Sequence, residues 1–203
     1  MNIFETGLLR YFQPEQLAII QRRKIGIAGA GGLGSNICAA LVRTGFKHIE
    51  ILDKDIVEAS NLNRQDYILA DIGKPKVDCL KSRMLAINPD LQLTVHQREW
   101  TPADNAGLFV EADIIVEALD KADIKTQFVE YYAPRAPFVI SGNGMSGLNT
   151  TTSATTVRKI GNIYLVGDGV TSIHDGHPAL APRVIQCAAK MAEVVLSLTI
   201  QSY

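Results

Sequence analysis

The run Gly29-Ala30-Gly31-Gly32-Leu33-Gly34 can seat a phosphate. In such a run one glycine makes a tight turn, another lets an anion approach the backbone, and the last lets a helix pack closely on a strand. Gly29, Gly31, Gly32 and Gly34 are therefore the candidate phosphate-binding positions. A helix that follows them aims unpaired N–H groups and its positive dipole end at the same anion. Asp53 lies 19 residues after Gly34, where a carboxylate can accept hydrogen bonds from ribose hydroxyls. The polar residues beyond it suit a triphosphate better than a dinucleotide, because extra negative charges call for extra cations. Arg64 offers a fixed fork of donors and Lys76 a point charge, while Asn61 can bond bridging oxygens without adding charge. Asp120 can supply a carboxylate ligand to Mg²⁺.

These residues need a scaffold, and the hydrophobic pattern supplies one. Lys24 to Gly29 reads as a buried strand, Ser35 to Thr44 as a helix stopped at Gly45, and His48 to Asp53 as a second strand. Strand, glycine loop, helix and strand make a right-handed βαβ unit. Further strands are expected at Leu91–His96, Asp113–Leu119, Phe138–Ser141 and Asn162–Val166. Helices are expected from Pro14, over Lys76–Ile87, from Thr101-Pro102, over Ile124–Tyr132 and over Pro182–Leu198. The predicted fold class is α/β: a Rossmann-like, mostly parallel sheet flanked by helices, with an irregular or antiparallel C-terminal portion and a long terminal helix. Residues 1–203 read as one domain, divided into an N-terminal helical segment (1–23), a nucleotide-binding core (24–141) and a C-terminal portion of loop, strand and terminal helix (142–203). The stretch 142–156, rich in Gly, Asn and Thr, reads as flexible, with room for a hairpin.

Composition removes several alternatives. The chain of 203 residues carries 20 basic and 21 acidic side chains, a formal charge of −1, which argues against a nucleic-acid partner. Three cysteines (Cys38, Cys79, Cys187) without a CxxC pair exclude a disulfide framework and a four-cysteine zinc site. The apolar window Ile25–Val42 is interrupted by glycines, Ser35 and Asn36, and the first residues lack the pattern of a leader, so no membrane partner is expected. The expected location is cytoplasmic.

The ordered set Gly29–Ser35, Asp53-Lys54-Asp55-Ile56-Val57, Ser60-Asn61-Leu62-Asn63-Arg64-Gln65 and Gly73-Lys74-Pro75-Lys76 resembles the ThiF/MoeB superfamily. These are ATP-dependent adenylyltransferases of ubiquitin-like sulfur carrier proteins, related to ubiquitin-activating enzymes. The likeness spans roughly residues 8–200, and is greatest to short ThiF-type proteins of thiamine biosynthesis. The resemblance implies that Gly32, Asp53, Asn61, Arg64 and Lys76 bind ATP and that Asp120 assists magnesium. It implies a reaction in which the terminal glycine carboxylate of a carrier ending in Gly-Gly attacks the α-phosphorus, with Arg64, Lys76 and Asp120 as the catalytic set. It also implies a homodimer, with Arg10, or less readily Arg22 or Arg23, as the arginine that reaches a partner's ATP.

The chain departs from the family where an Arg usually follows the Asp-Asn pair after the fourth strand; here Lys125 stands instead, without a bidentate fork. The zinc-binding cysteine pairs of many relatives are missing, so no structural zinc is expected. Cys187 lies on the apolar stripe of the last helix and reads as core rather than nucleophile, as do Cys38 and Cys79. His174-Asp175-Gly176-His177 reads as a loop rather than a metal site. Two further activities stay open: an NAD(P)-dependent oxidoreductase, disfavoured by the short remainder after the fifth strand, and a relative that adenylates tRNA or a small molecule.

Overall fold

The structure is a computed structural model that describes residues 1–103, 107–147, 155–171 and 176–201. Two short helices, α1 (Ile3–Leu8) and α2 (Pro14–Arg22), precede β1 (Lys24–Ala28), α3 (Gly32–Thr44) and β2 (His48–Leu52). Single 3₁₀ turns at Ala59–Asn61 and Leu69–Asp71 lead into α4 (Lys76–Ile87), followed by β3 (Gln92–His96), β4 (Ile114–Glu117), α5 (Ala122–Tyr132) and β5 (Phe138–Gly142). The chain then forms β6 (Thr156–Ile160), β7 (Ile163–Gly167) and the long α6 (Ala181–Gln201).

The strands order as β3-β2-β1-β4-β5-β7-β6 in one seven-stranded sheet. Every neighbouring pair is parallel except β6 with β7, which run antiparallel. The expected α/β class with an antiparallel C-terminal portion is what the chain adopts. Apolar runs such as Ile114–Val116, buried on both faces, are what a parallel sheet covered on two sides requires. One face packs Ile27, Ile51 and Val116 against α3, α4 and α6, through Ile37, Leu41, Leu80, Met191 and Val195. The other face packs Ala28, Leu52, Ile115 and Val139 against Trp100, Phe109, Phe128 and Tyr132.

Helix α6 is long and apolar enough to cross a membrane by length and composition, a feature that the choice of Ile25–Val42 as the most apolar window passed over. Val184, Cys187, Ala188, Met191 and Val195 along it are buried, and the helix packs against α3 as part of the core.

Two expectations are corrected. The helix from Thr101-Pro102 is not formed among the described residues, which run through turns instead. Phe109 adopts φ 54°, its ring fills the space above Gly26, and its N–H donates to the Glu50 carboxylate at 3.1 Å. Burying that ring fixes the path of the segment and overrides the local capping pattern. Helix α3 begins at Gly32 rather than Ser35, so part of the glycine loop is itself helical. The strand before β7, β6, was only a possible hairpin in sequence terms, because its five residues are all exposed on an edge. Residues 148–154 of the Gly/Asn/Thr stretch, and His174-Asp175 of the histidine loop, lie outside the described residues.

Candidate nucleotide site

The chain leaves β1 for β2 and β3 on one side, then returns to the other side of β1 for β4 and β5. Crevices for ligands open at such a switch, beyond the carboxyl ends of the strands. Here a cavity of about 510 Å³ opens at that place.

The glycine loop forms its floor. The first helical bond of α3 runs from the Ser35 N–H to the Gly31 carbonyl at 3.0 Å, leaving the N–H groups of Gly32, Leu33 and Gly34 without helical acceptors. Gly29 has φ +100°, and a Cβ there would lie 2.5 Å from the Ala118 carbonyl oxygen. A Cβ on Gly34 would lie 1.8 Å from the Gly29 carbonyl oxygen, so these two glycines hold loop, strand and helix together. Gly31 is different: an added Cβ would meet nothing nearer than the Gln65 side chain at 3.9 Å, which leaves open cavity above it. Gly29, Gly31 and Gly32 line the cavity; Gly34 stands behind it as a packing residue.

The loop is pinned by side chains distant in sequence. Asp53 Oδ2 accepts from the Ala30 N–H at 2.6 Å, and the Tyr67 hydroxyl donates to the Ala30 carbonyl at 2.7 Å. Asn36 Nδ2 donates both to the Gly32 carbonyl at 2.6 Å and to the Arg64 carbonyl at 2.9 Å, tying the loop to the Asn61–Arg64 segment. Asp53 is 9% exposed, and burial pushes its carboxyl above the ordinary range despite the Ala30 and Asp55 N–H groups and the nearby Lys76.

Asp53, Asn61, Arg64, Lys76 and Asp120 all line the same cavity, so the structure brings together every polar site residue expected from sequence. Lys76 is buried at 5% exposure, its ammonium 2.9 Å from the Asp55 carboxylate, which settles Asp55 as the partner of Lys76. Asn61 spends its side-chain oxygen on the Glu58 N–H at 3.0 Å. Arg64 keeps one terminal nitrogen on the Asn63 side chain at 2.8 Å. Asp120 is exposed at the mouth. Arg10 is exposed beyond α1 and lies outside the cavity lining. Arg23 is 3.7 Å from Asp113, on the opposite end of the sheet.

Two clusters escaped the sequence reading. At the end of β4, Glu117 is fully buried and accepts from the Leu119 N–H at 2.7 Å, Lys125 at 2.6 Å and the Ser141 hydroxyl at 2.6 Å. Across the cavity, Asp168 pairs with Arg183 at the start of α6, and accepts from the N–H groups of Val170 and Thr171 and from the Thr171 hydroxyl. That hydroxyl in turn accepts from the Ser146 N–H at 3.1 Å, so the two loops facing the cavity are locked to each other.

Residues 6–166 match the ThiF family. The chain belongs to the ThiF family. It is 34% identical over 153 residues to tRNA threonylcarbamoyladenosine dehydratase 1 of Saccharomyces cerevisiae, covering 71% of this chain and 36% of that protein. It is 32% identical over 102 residues to the probable adenylyltransferase/sulfurtransferase MoeZ of Mycobacterium tuberculosis, covering 50% of this chain and 26% of that one. Its fold superposes on E. coli tRNA N6-threonylcarbamoyladenosine dehydratase, TcdA, in complex with AMP, with a TM-score of 0.85 at 21% identity over 97% of this chain and 94% of that one. The chain spans 33% to 58% of the length of the curated dehydratases that it matches.

Cys187 of this ThiF-family chain is 1% exposed, its thiol directed to the Val166 carbonyl at 3.5 Å. Burial pushes the thiol up to about 11, only partly offset by Lys125 and Arg183. A thiolate nucleophile is disfavoured at neutral pH in such a place. Accordingly, a thiol reagent should modify Cys187 in the native chain no faster than the chain unfolds, and Cys187→Ala should retain the chain's activity. Peptide mapping after timed labelling checks this, and rapid native labelling would overturn the reading of Cys187 as a core residue.

Proposed function

We propose that this chain binds ATP in the cavity at the β1 and β4 ends and activates a substrate carboxylate as an acyl-adenylate. One observation carries the reading: the glycine loop, Asp53, Asn61, Arg64, Lys76 and Asp120 line one cavity at the switch point of a parallel sheet. In the proposed step a carboxylate oxygen forms a bond to the α-phosphorus, the bond to the bridging oxygen breaks, and pyrophosphate leaves with the electron pair. No proton moves, so no general base is needed. The work is positioning and charge neutralisation. The loop N–H groups and the start of α3 would hold phosphate, Arg64 and Lys76 would neutralise it, and Asp53 would orient the ribose.

The donor set suits Mg²⁺ only with help from the nucleotide. Among the described residues no three His, Cys, Asp or Glu side chains gather. Asp120 would give one carboxylate, and phosphate oxygens and water the rest, which is how this cation is usually held. When bound it would add positive charge at the phosphates.

For the bearer of the carboxylate we favour a small ubiquitin-like sulfur carrier ending in Gly-Gly, in thiamine biosynthesis. Residues 24–141 would then serve the nucleotide and 142–203 the carrier. The formal charge of −1 is what disfavours a phosphate backbone as the partner. The names of the dehydratase relatives favour a second reading, a carboxylate on a modified adenosine of tRNA.

The test is exchange of labelled pyrophosphate into ATP, with a panel of Gly-Gly-ended carriers in one arm and threonylcarbamoyladenosine-bearing tRNA in the other. Arg64→Ala and Asp120→Ala should each lower exchange on the order of 10²-fold or more, the usual cost of removing a group that stabilises developing charge. Exchange at the wild-type rate in both variants would refute the assigned roles, and exchange only with tRNA would transfer the reading to the second bearer.

A further inference from the structure

Lys125 stands where the sequence departs from its family, and the structure gives it a defined setting. It projects from α5, with its ammonium 2.6 Å from the buried Glu117 carboxylate of β4 and 3.0 Å from the Gly142 carbonyl of β5. An ammonium has three donors. Two are engaged by these partners, while the side chain remains 26% exposed and lines the cavity, so the third is available on the cavity side.

Its location across the sheet decides what that donor can meet. Asp53 follows β2, the glycine loop follows β1, and Lys125 bridges the ends of β4 and β5. With neighbouring strands about 4.8 Å apart, β2 and β5 are separated by three spacings, about 14 Å. A nucleotide with its ribose on Asp53 and its phosphates on the loop has its sugar on the far side from Lys125. What approaches from the β4–β5 side, past Gly142, Asn143 and Met145, is the second reactant. The Glu117 charge balances Lys125, so this donor offers a directed hydrogen bond rather than a free positive field.

We propose that Lys125 binds the acyl oxygen of the carboxylate substrate, its ammonium presented by Glu117 and the Gly142 carbonyl on the β4–β5 side of the cavity. The inference rests on the acyl-adenylate reading above and assigns the residue that recognises the acyl half. Ser141, bonded to the same Glu117 oxygen, keeps that carboxylate from rotating when Lys125 engages a ligand.

The test needs no carrier. The probes are AMP and 5′-O-(N-glycylsulfamoyl)adenosine, a stable mimic of a glycyl-adenylate, titrated calorimetrically into the full chain. Lys125→Met alone strands a buried carboxylate and can unfold the protein. The informative variant is therefore Lys125→Met with Glu117→Gln, its fold checked by thermal melting. The wild type should bind the glycyl mimic at least about tenfold more tightly than AMP, the worth of one charge-assisted hydrogen bond. The double variant should lose that preference while its AMP affinity is unchanged. Equal weakening of both ligands would make Lys125 a phosphate ligand and overturn the proposal, as would a preference that survives in the variant or is absent from the wild type. A wild type that binds neither probe would sink the nucleotide reading itself, an outcome distinct from the others.

Discussion

Gly31→Ala should leave the melting temperature of the chain nearly unchanged and weaken ATP binding on the order of 10²-fold, while Gly34→Ala should do the damage to the fold. The two residues sit three apart in one loop, yet their surroundings differ in kind. A methyl on Gly34 would be 1.8 Å from the Gly29 carbonyl oxygen and 2.8 Å from its carbon, both backbone atoms at the strand-to-helix turn. Neither can yield as a flexible side chain would, so the cost lies at or above the top of the usual range for overpacking, about 3 kcal/mol. For a chain of this size that is a fall in melting temperature of about 6–12 °C. A methyl on Gly31 meets only the Gln65 amide at 3.9 Å, and its φ of −78° lies outside the left-handed region. It projects instead into the cavity where the proposed phosphate would reach the backbone. Losing several charge-assisted N–H bonds there should weaken ATP on the order of 10²-fold or more. Thermal melts and ATP titrations of both variants separate the effects; a Gly31→Ala chain that binds ATP normally would remove the phosphate seat from this loop.

The contrast also shows what a linear pattern can and cannot carry. The strand–loop–helix–strand order, Asp53 at the end of β2 and the polar residues up to Lys76 were legible because each is set by its place in a local element, and the sheet brings element ends together. The parallel strands were legible for the same reason, as apolar runs too short for helices. Partnerships across long separations left no such mark. Tyr67 on the Ala30 carbonyl and Asp168 on Arg183 join segments whose spacing means nothing until the sheet exists. Glu117 did leave a signal: an acid inside the apolar run Asp113–Leu119 must find partners if the strand is central, since a buried lone carboxylate is costly. Reading it would have pointed to Lys125. The helix expected from Thr101 failed for the opposite reason, a sound local cap defeated by the burial of Phe109 and Trp100.

Arg183→Met should cost about 3–5 kcal/mol, because it strands a carboxylate that has given up solvent. Both side chains of the Asp168–Arg183 pair are 6% exposed. Burial alone would raise the Asp168 carboxyl, but the Thr171 and Val170 N–H groups, the Thr171 hydroxyl and Arg183 together hold it below the ordinary range. The sign of the pH dependence follows. A folded-state value below the unfolded one stabilises the chain above the ordinary carboxylate range, and that contribution is lost as pH falls through the folded value. The wild type should therefore lose stability on the acid side, and Arg183→Met should start lower at neutral pH and decline less steeply on acidification. Denaturant melts between neutral and strongly acidic pH measure both slopes, and parallel curves would show that Arg183 does not hold the Asp168 charge. The same substitution reaches the site. Asp168 fixes Thr171, Thr171 fixes Ser146, and both Thr171 and Ser146 line the cavity on the side proposed to receive the carboxylate. Loosening that clamp should raise the KM for the carboxylate substrate more than the Kd for ATP, since the glycine loop, Asp53 and Lys76 are held by other bonds.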